Sequence, residues 1–242
     1  MHRESTVSAA LALAGQGLSD GAVGRRLGIP RATVRMWRIG CVPQRERSRC
    51  DVCAGRAIRF PAKSYCYLLG LYLGDGCISK QPRTHRIRIV LDAKYPGIIE
   101  ECAAALEAIC PDKSAYRGLK SGCVEVGMYW NHWPCLFPQH GPGRKHLRPI
   151  RLVPWQCQLV QREREALVRG LVHSDGCRII ANDRGNLCPR YHFSNLSEDI
   201  KALYCESLDA LGVNWTRPCA KQIAVYRKAS VKRLDLFVGP KC

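Results

Sequence analysis

The sequence has no apolar run long enough to cross a membrane. A membrane-spanning helix needs roughly 20 consecutive apolar residues, and no segment of the 242 residues approaches that length. The short apolar stretch near the N-terminus contains the acidic Glu4 and has regular helical spacing, so we do not expect it to be an export signal. We therefore expect a cytoplasmic chain with no membrane partner.

Acidic residues are scarce. There are 20 Asp and Glu against 38 Lys and Arg, which gives a formal net charge of +18. A hydrophobic content of 46% excludes a largely disordered basic tail. A foldable chain this basic most often meets a polyanion, and nucleic acid is the default partner.

A secreted disulfide scaffold is also excluded, although the chain has 15 cysteines. Their number is odd, the chain is large, and no export signal precedes them. Several of them, such as Cys66, Cys102 and Cys205, lie inside apolar periodic segments, where a thiol behaves as a small hydrophobe. We expect the cysteines to be mostly reduced.

Residues 1–40 predict three short helices. Ser19 is the predicted N-cap of the second helix, and Val23 begins its buried stripe. Gly28 can take the left-handed turn conformation after that helix, and Pro30 suits the start of the next one. The spacing predicts a tight turn between two helices.

The helix after Pro30 has a buried side, with Val34 and Trp37, and a basic exposed side. Its candidate DNA-contacting side chains are Arg31, Thr33, Arg35 and Arg38. The unit resembles a helix-turn-helix of the homeodomain-like or resolvase kind, which implies that this helix enters the major groove. The alternative is a small helical packing module with solvated arginines.

Residues 41–62 lose periodicity and gain charge and proline, which predicts a basic, cysteine-containing linker. Cys50 and Cys53 form a C-x-x-C pair in it, which is half of a zinc ribbon, but no second C-x-x-C follows at suitable spacing. The pair is either two linker thiols or part of a structural Zn²⁺ site, with Cys41 as a candidate third ligand and the fourth unidentified.

Two segments of the chain match each other. Residues 67–76 read YLLGLYLGDG and residues 167–176 read LVRGLVHSDG. The patterns that follow both copies predict helix-strand-strand-helix-strand-strand-helix, so one fold is used twice.

The repeated segment has small residues four positions apart on one helix face. These candidate helix-interface residues are Gly70, Gly74, Gly170 and Ser174. Small side chains at this spacing allow two helices to approach backbone against backbone. Gly76 and Gly176 are then expected to end the helices in the left-handed conformation.

Asp75 and Asp175 lie in the last turn of these helices, where a carboxylate faces the negative end of the helix dipole. If the helices pair, the two carboxylates also repel each other. Such a pair makes sense where divalent cations bind, and carboxylates that present Mg²⁺ to a phosphate are typical of metal-assisted phosphodiester hydrolysis.

At this point the sequence resembles the two-motif LAGLIDADG homing endonucleases, over residues 64–239. LLGLYLGDG (68–76) and VRGLVHSDG (168–176) occupy the motif positions. The resemblance implies an α+β fold of two αββαββα halves about a pseudo-twofold axis, with saddle-shaped antiparallel sheets lying on DNA. It also implies that the last acidic residues of the motifs, Asp75 and Asp175, bind the catalytic metal.

The second motif departs from the family pattern at two positions. Arg169 replaces a small residue and is expected to point outward, whereas His173 replaces an apolar or acidic residue. We interpret His173 as either a helper of Asp175 or, preferably, a half-exposed residue.

Two strands are predicted to be basic on one face. Arg86 and Arg88 alternate with aliphatic residues, and Arg190 and His192 alternate with aromatic residues, which predicts two sheets that contact DNA phosphates. Members of the family also use a basic residue near the metals. Lys120 and Lys221, which precede their predicted strands at similar places in the two halves, are the candidates here.

The first half is expected at 63–137, an inter-half linker at 138–160 and the second half at 161–242. Cys135, His140 and His146, with His132 nearby, either gather around zinc or are ordinary linker residues. Because one chain contains both motifs, we expect a monomer with an internal pseudo-dimer.

The predicted function is site-specific, Mg²⁺-dependent cleavage of double-stranded DNA. The alternative is a transcription regulator that has a helix-turn-helix beside a LAGLIDADG-like domain and binds DNA without cutting it. Regulators of that kind tend to lose the metal-binding acids, whereas this chain keeps both.

Overall fold

The computed structural model describes residues 4–41, 50–239 and 241, which fall into two compact units, 1–49 and 50–242. Residues 42–49 of the predicted linker lie outside the described residues. Within the described ranges, no helix combines the length and the apolar character needed to span a bilayer.

The first unit contains the three predicted helices, α1 (Glu4–Gly15), α2 (Asp20–Leu27) and α3 (Arg31–Arg38). The backbone N–H of Ala22 donates to Ser19 Oγ at 3.3 Å, which confirms the predicted N-cap. Gly28 follows α2 in the left-handed conformation, with φ 66°. The three helices enclose a small core of Ala10, Val23, Ile29, Val34 and Trp37.

The second unit begins with a segment that sequence patterns assign to the linker. Residues 50–62 belong to this unit, and Val52, Ile58 and Phe60 pack against its core. The side chain of Asp51 accepts hydrogen bonds from Arg56 and Arg59, which folds the segment onto itself. This part of the predicted linker is therefore an ordered entry into the first half.

The first half follows the predicted order of elements. It contains α4 (Ala62–Asp75), β1 (Gly76–Lys80), β2 (His85–Asp92), α5 (Pro96–Ile109), β3 (Tyr116–Lys120), β4 (Cys123–Tyr129) and α6 (Trp133–Leu136). Its last helix, α6, is a single turn. The connection to the second half holds a 3₁₀ turn at Lys145–Leu147 and the helix α7 (Pro154–Arg162).

The second half repeats this order. It contains α8 (Arg164–Asp175), β5 (Gly176–Asp183), β6 (Asn186–Ser194), α9 (Glu198–Ala210), β7 (Thr216–Cys219), β8 (Gln222–Val225) and α10 (Lys228–Asp235). The two sheets have the same antiparallel topology, β1-β2-β4-β3 and β5-β6-β8-β7. The α+β class and the duplicated αββαββα order are as predicted.

One hydrophobic core runs through both halves, with α4 and α8 at its centre. The helix α4 is buried from Tyr65 to Leu73 without an exposed face, which is typical of a helix enclosed on all sides. In β2, Ile87, Ile89 and Leu91 face this core. The C-terminal ends of both motif helices therefore lie side by side, each directly before the first strand of its half.

Candidate active site

The helices α4 and α8 pack backbone against backbone. A Cβ added to Gly70 would lie 2.6 Å from the carbonyl oxygen of Leu167, and one added to Gly170 would lie 3.0 Å from Gly70 Cα. A Cβ added to Gly74 would lie 2.5 Å from Ser174 Cβ. Non-bonded carbon atoms normally stay about 3.5–4.0 Å apart, so the small residues are what allow this approach.

Gly76 and Gly176 do not adopt the predicted left-handed conformation. Both are extended, with φ of −86° and −109°, because a strand begins directly after each motif helix. The glycines serve close packing instead. A Cβ at Gly76 would lie 2.5 Å from Tyr72 Cα, and one at Gly176 would lie 2.8 Å from Val172 Cα.

Asp75 and Asp175 end the two motif helices, and the charge of Asp175 acts on Asp75. The pKa of Asp75 is raised to about 6, first by burial and then by the negative charge of Asp175. Asp75 is open to solvent on one side, but the dense protein around it still weakens its hydration. Burial also raises the pKa of the half-buried Asp175, against the effect of a 2.6 Å hydrogen bond from Asn195 Nδ2.

Lys145 closes the C-terminal end of α4. Its ammonium group donates to the backbone carbonyls of Tyr72, Leu73 and Gly74, where a cation offsets the negative end of the helix dipole. Burial lowers the pKa of Lys145 to about 8, and the charges of Asp175 and Asp75 oppose that shift.

Lys241 has the matching position in the second half. It donates to the carbonyl of Gly176, directly after α8, and burial lowers its pKa while Asp75 and Asp175 raise it. Sequence reasoning missed both lysines. The available signal was that each follows its motif acid by nearly the same number of residues.

Two clefts reach the carboxylates. The larger, about 440 Å³, is lined by Asp175 and Asn195 from the second half and by Lys145 from the connection. The smaller, about 200 Å³, is lined by Asp75 and Lys241. Each cleft therefore pairs the acid of one half with the lysine that follows the other half.

The predicted catalytic lysines, Lys120 and Lys221, lie in the β3–β4 and β7–β8 hairpins and line neither cleft. Lys120 donates to Glu125 Oε2 at 2.6 Å, and Lys221 is exposed in the β7–β8 turn. They do not occupy equivalent places, because Lys120 pairs with Cys123 across its hairpin, whereas Cys219 makes the corresponding pair with Gln222.

Both strands have the predicted basic face, and the arginines on it form ion pairs with acidic side chains of the same sheet. Glu125 is buried, and its carboxylate lies 3.5 Å from Arg86 and 3.8 Å from Arg88. In the second sheet, Arg190 pairs with Asp183, and His192 lies edge-on to the Tyr226 ring, their centroids 5.9 Å apart.

The two unusual motif residues are structural. His173 is buried, not half-exposed: its Nδ1 lies 2.9 Å from Tyr67 Oη and its Nε2 lies 3.0 Å from the carbonyl oxygen of Val238. Burial lowers its pKa to about 4. Arg169 does not point outward, because it binds Glu101 on α5 at 2.8 Å.

In the first unit, Arg31 and Arg35 are exposed on α3, and Thr33 is half-buried. Arg38 lies 3.4 Å from Asp20 of α2, so it ties the two helices together. Arg38 nevertheless stays exposed, so Arg31, Arg35 and Arg38 are all accessible on α3.

The predicted Cys50–Cys53 pair lies beside His132 and Cys135, which belong to the second group of candidate zinc ligands in the sequence. His140 and His146 are not part of this cluster and line the larger cleft instead.

A scan against protein-family models gave no match, and a search of curated proteins gave none. Among solved structures, mesophilic variants of the homing endonuclease I-DmoI are similar, with a TM-score of 0.50, 17% identity, and coverage of 74% of this chain and 97% of that chain. I-DmoI in complex with DNA and Ca also has a TM-score of 0.50 and 17% identity, over 74% and 91%. The N-terminal LAGLIDADG domain of DUF199/WhiA matches at a TM-score of 0.48 and 12% identity, over 75% and 83%. The likeness to I-DmoI shows that this chain has the same fold.

Proposed function

We propose that this chain is a site-specific endonuclease of the LAGLIDADG type that hydrolyses double-stranded DNA with a divalent cation. The observation that carries the proposal is the pair of carboxylates, Asp75 and Asp175, at the adjoining ends of the motif helices. Each is accompanied by a lysine and opens into a cleft. A duplicated site suits a duplex, whose two strands present equivalent phosphates. Support also comes from I-DmoI, which has this fold and forms a complex with DNA and Ca.

The donor set fits a hard divalent cation such as Mg²⁺. Such cations prefer carboxylate oxygens, and a cation relieves the charge repulsion that contributes to the raised pKa of Asp75. With a pKa of about 6, Asp75 is mostly ionised at neutral pH. Asp75 and Asp175 would hold the cation, which when bound supplies Lewis-acid stabilisation of the phosphate and lowers the pKa of water.

The lysines give the site its own positive charge. Lys145 and Lys241 are fixed on the helix ends by backbone carbonyls, so a phosphate entering either cleft meets a preorganised ammonium group. A pKa of about 8 places Lys145 in the range in which a lysine can also move a proton. Lys120 and Lys221 stay predictions for the same role.

We further propose that the sheets and the first unit bind DNA. Arg86, Arg88, Arg190 and His192 lie on the strand faces opposite the core and would follow the phosphates. The exposed arginines of α3, Arg31 and Arg35, together with Thr33, would reach a groove as in a helix-turn-helix.

Cleavage of a randomised duplex library with Mg²⁺ tests the enzymatic proposal. The wild-type chain should cut a defined sequence, whereas Asp75→Asn and Asp175→Asn should bind that sequence without cutting it. Asp112→Asn, which changes an exposed acid in the turn after α5, is the matched control and should remain active. Binding of a defined sequence by the wild type with no cleavage under any divalent cation would refute the nuclease.

That refuting outcome is the expected one for the second candidate, a non-cleaving DNA-binding regulator. A specific observation favours it: Lys145 and Lys241 together can neutralise both carboxylates without any metal. Calorimetric titration with Ca²⁺ separates the two. The nuclease binds Ca²⁺ and loses this binding in Asp75→Asn, whereas the regulator shows no binding that depends on Asp75.

A further inference from the structure

Four side chains of types that bind metals meet in the second unit, and none of them lines either cleft at the paired carboxylates. Cys50 and Cys53 come from the segment before α4, and His132 and Cys135 come from the turn that begins α6. One donor atom from each residue lies within 4.8 Å of all the others. Cys53 Sγ is central, at 3.0 Å from Cys50 Sγ, 2.8 Å from Cys135 Sγ and 3.3 Å from His132 Nδ1.

The backbone on both sides is arranged so that the donors face one point. The N–H of Cys53 donates to Cys50 Sγ at 3.4 Å, and Gly55 takes the left-handed conformation that lets the loop turn back, with φ 63°. On the other side, the N–H of Cys135 donates to the carbonyl of His132 at 3.0 Å, so both donors leave the same turn.

The chemistry of the set is that of zinc. Three thiols and one imidazole form a Cys₃His set, which structural Zn²⁺ sites use with tetrahedral geometry. Tetrahedral Zn–S bonds of about 2.3 Å place sulfurs roughly 3.8 Å apart. Cys53 Sγ lies 3.0 Å from Cys50 Sγ and 2.8 Å from Cys135 Sγ, so binding of the ion needs each of these distances to grow by only about 1 Å. A disulfide needs sulfurs about 2.05 Å apart and would leave the third thiol and the histidine unused.

We propose that Cys50, Cys53, His132 and Cys135 bind one structural Zn²⁺ ion. The ion would fasten the segment before the first motif helix to the end of the first half, closing a loop of about 80 residues. Phe60, which leads from this segment into α4, already packs on Tyr65 with ring centroids 5.2 Å apart. The zinc would therefore fix where the first motif helix begins. The proposal is independent of DNA cleavage.

Metal analysis of the purified full-length chain tests it. The wild type should contain one equivalent of zinc, and Cys53→Ser and His132→Ala should lose most of it. Cys41→Ser and Cys219→Ser are matched controls, because both thiols are exposed and neither belongs to the cluster. Zinc that is absent from the wild type after reconstitution, or that is unaffected by Cys53→Ser, would overturn the proposal.

Two further measurements keep the test decisive if the ligand variants fold poorly. His132→Cys retains a zinc-binding side chain and should recover zinc that His132→Ala loses. Co²⁺ bound to the wild type should give the strong visible absorption of a tetrahedral thiolate site. A spectrum of octahedral Co²⁺, or a Cys50–Cys53 disulfide that persists in place of metal under reducing purification, contradicts a zinc site.

Discussion

Exchanging the side chains at one contact between the motif helices should change the free energy of unfolding by an amount that reports how closely the helices pack. At this contact Gly74 faces Ser174, and a Cβ at position 74 would lie 2.5 Å from Ser174 Cβ and 2.9 Å from Asp175 Oδ2. Gly74→Ala therefore forces a shift of about 1 Å between two buried helices, since carbon atoms normally stay about 3.5–4.0 Å apart.

The size of the effect follows from two opposing terms. Overpacking of a filled core destabilises by about 1–3 kcal/mol, whereas replacing glycine by alanine within a helix stabilises by about 1 kcal/mol. We expect Gly74→Ala to lower the free energy of unfolding by up to about 2 kcal/mol. Gly70→Ala should be more damaging, because its Cβ would meet backbone atoms of Leu167 and Leu171 at 2.6 Å, which no side-chain change can remove.

The double variant Gly74→Ala/Ser174→Gly transfers the side chain from one helix to the other. Ser174→Gly alone removes the Ser174 Oγ hydrogen bonds to the carbonyls of Gly170 and Leu171, at 3.1 and 3.0 Å, and should destabilise modestly. In the double variant the clash with the Ser174 side chain disappears, and only the contact with Asp175 Oδ2 at 2.9 Å remains. The double variant should therefore lose about 1–2 kcal/mol less stability than the two single variants lose together.

Denaturant unfolding followed by tryptophan fluorescence provides the measurement, because four of the five tryptophans lie in the second unit. The matched comparison is Gly70→Ala/Ser174→Gly, in which the serine is removed but the backbone clash remains, so no rescue is expected. If the changes in unfolding free energy of the two single variants add up to that of the double variant, the helices do not meet at positions 74 and 174 as described.

Three other changes test the charges of the site and of the DNA-binding surfaces. Burial lowers the pKa of His173 to about 4 in the folded chain. Protonation of the unfolded chain should therefore reduce the free energy of unfolding by up to about 3 kcal/mol as pH falls from 6.5 to 4. His173→Gln should lack this pH-dependent loss of stability, and a variant with the same pH profile as the wild type would refute the assignment. Lys145→Met should raise the pKa of Asp75 above 6, measured by carboxyl NMR, while Lys120→Met, whose ammonium pairs with Glu125, should leave it unchanged. Arg35→Ala should weaken DNA binding and reduce its salt dependence by about one counterion if that arginine contacts a phosphate; an unchanged salt slope would remove Arg35 from the interface.

The duplicated core could be predicted from sequence because its signal is local and occurs twice. The small residues and terminal acids recur within each motif, and the strand alternation around Arg86 and Arg88 leaves the aliphatic residues facing the core. These patterns depend on neighbours three or four positions apart along a helix, or two along a strand. The α+β order followed from them without knowledge of any long-range contact.

The features that were missed depend on contacts between distant segments. Lys145 and Lys241 lie in aperiodic chain, so nothing local shows that they reach the ends of α4 and α8. Cys50 and Cys135 belong to two short pairs that only the folded first half brings together. His173 looks half-exposed by type, yet its partners Tyr67 and Val238 come from other elements.

The negative charge of Asp75 should lower the stability of the folded chain. The raised pKa of Asp75 means that its carboxylate is disfavoured in the folded chain, so ionisation of Asp75 lowers the free energy of unfolding. The stability that the protonated form provides is present below about pH 4 and is lost as pH rises through about 6. At neutral pH and without divalent cations, Asp75→Asn should therefore unfold at a higher denaturant concentration than the wild type. A cation that binds the folded chain stabilises it by mass action, so Mg²⁺ should raise the midpoint of the wild type and leave that of Asp75→Asn nearly unchanged. If the asparagine variant is no more stable than the wild type in chelator, then Lys145 and Lys241 already compensate the acids fully, and the case for a cation at this site weakens with it.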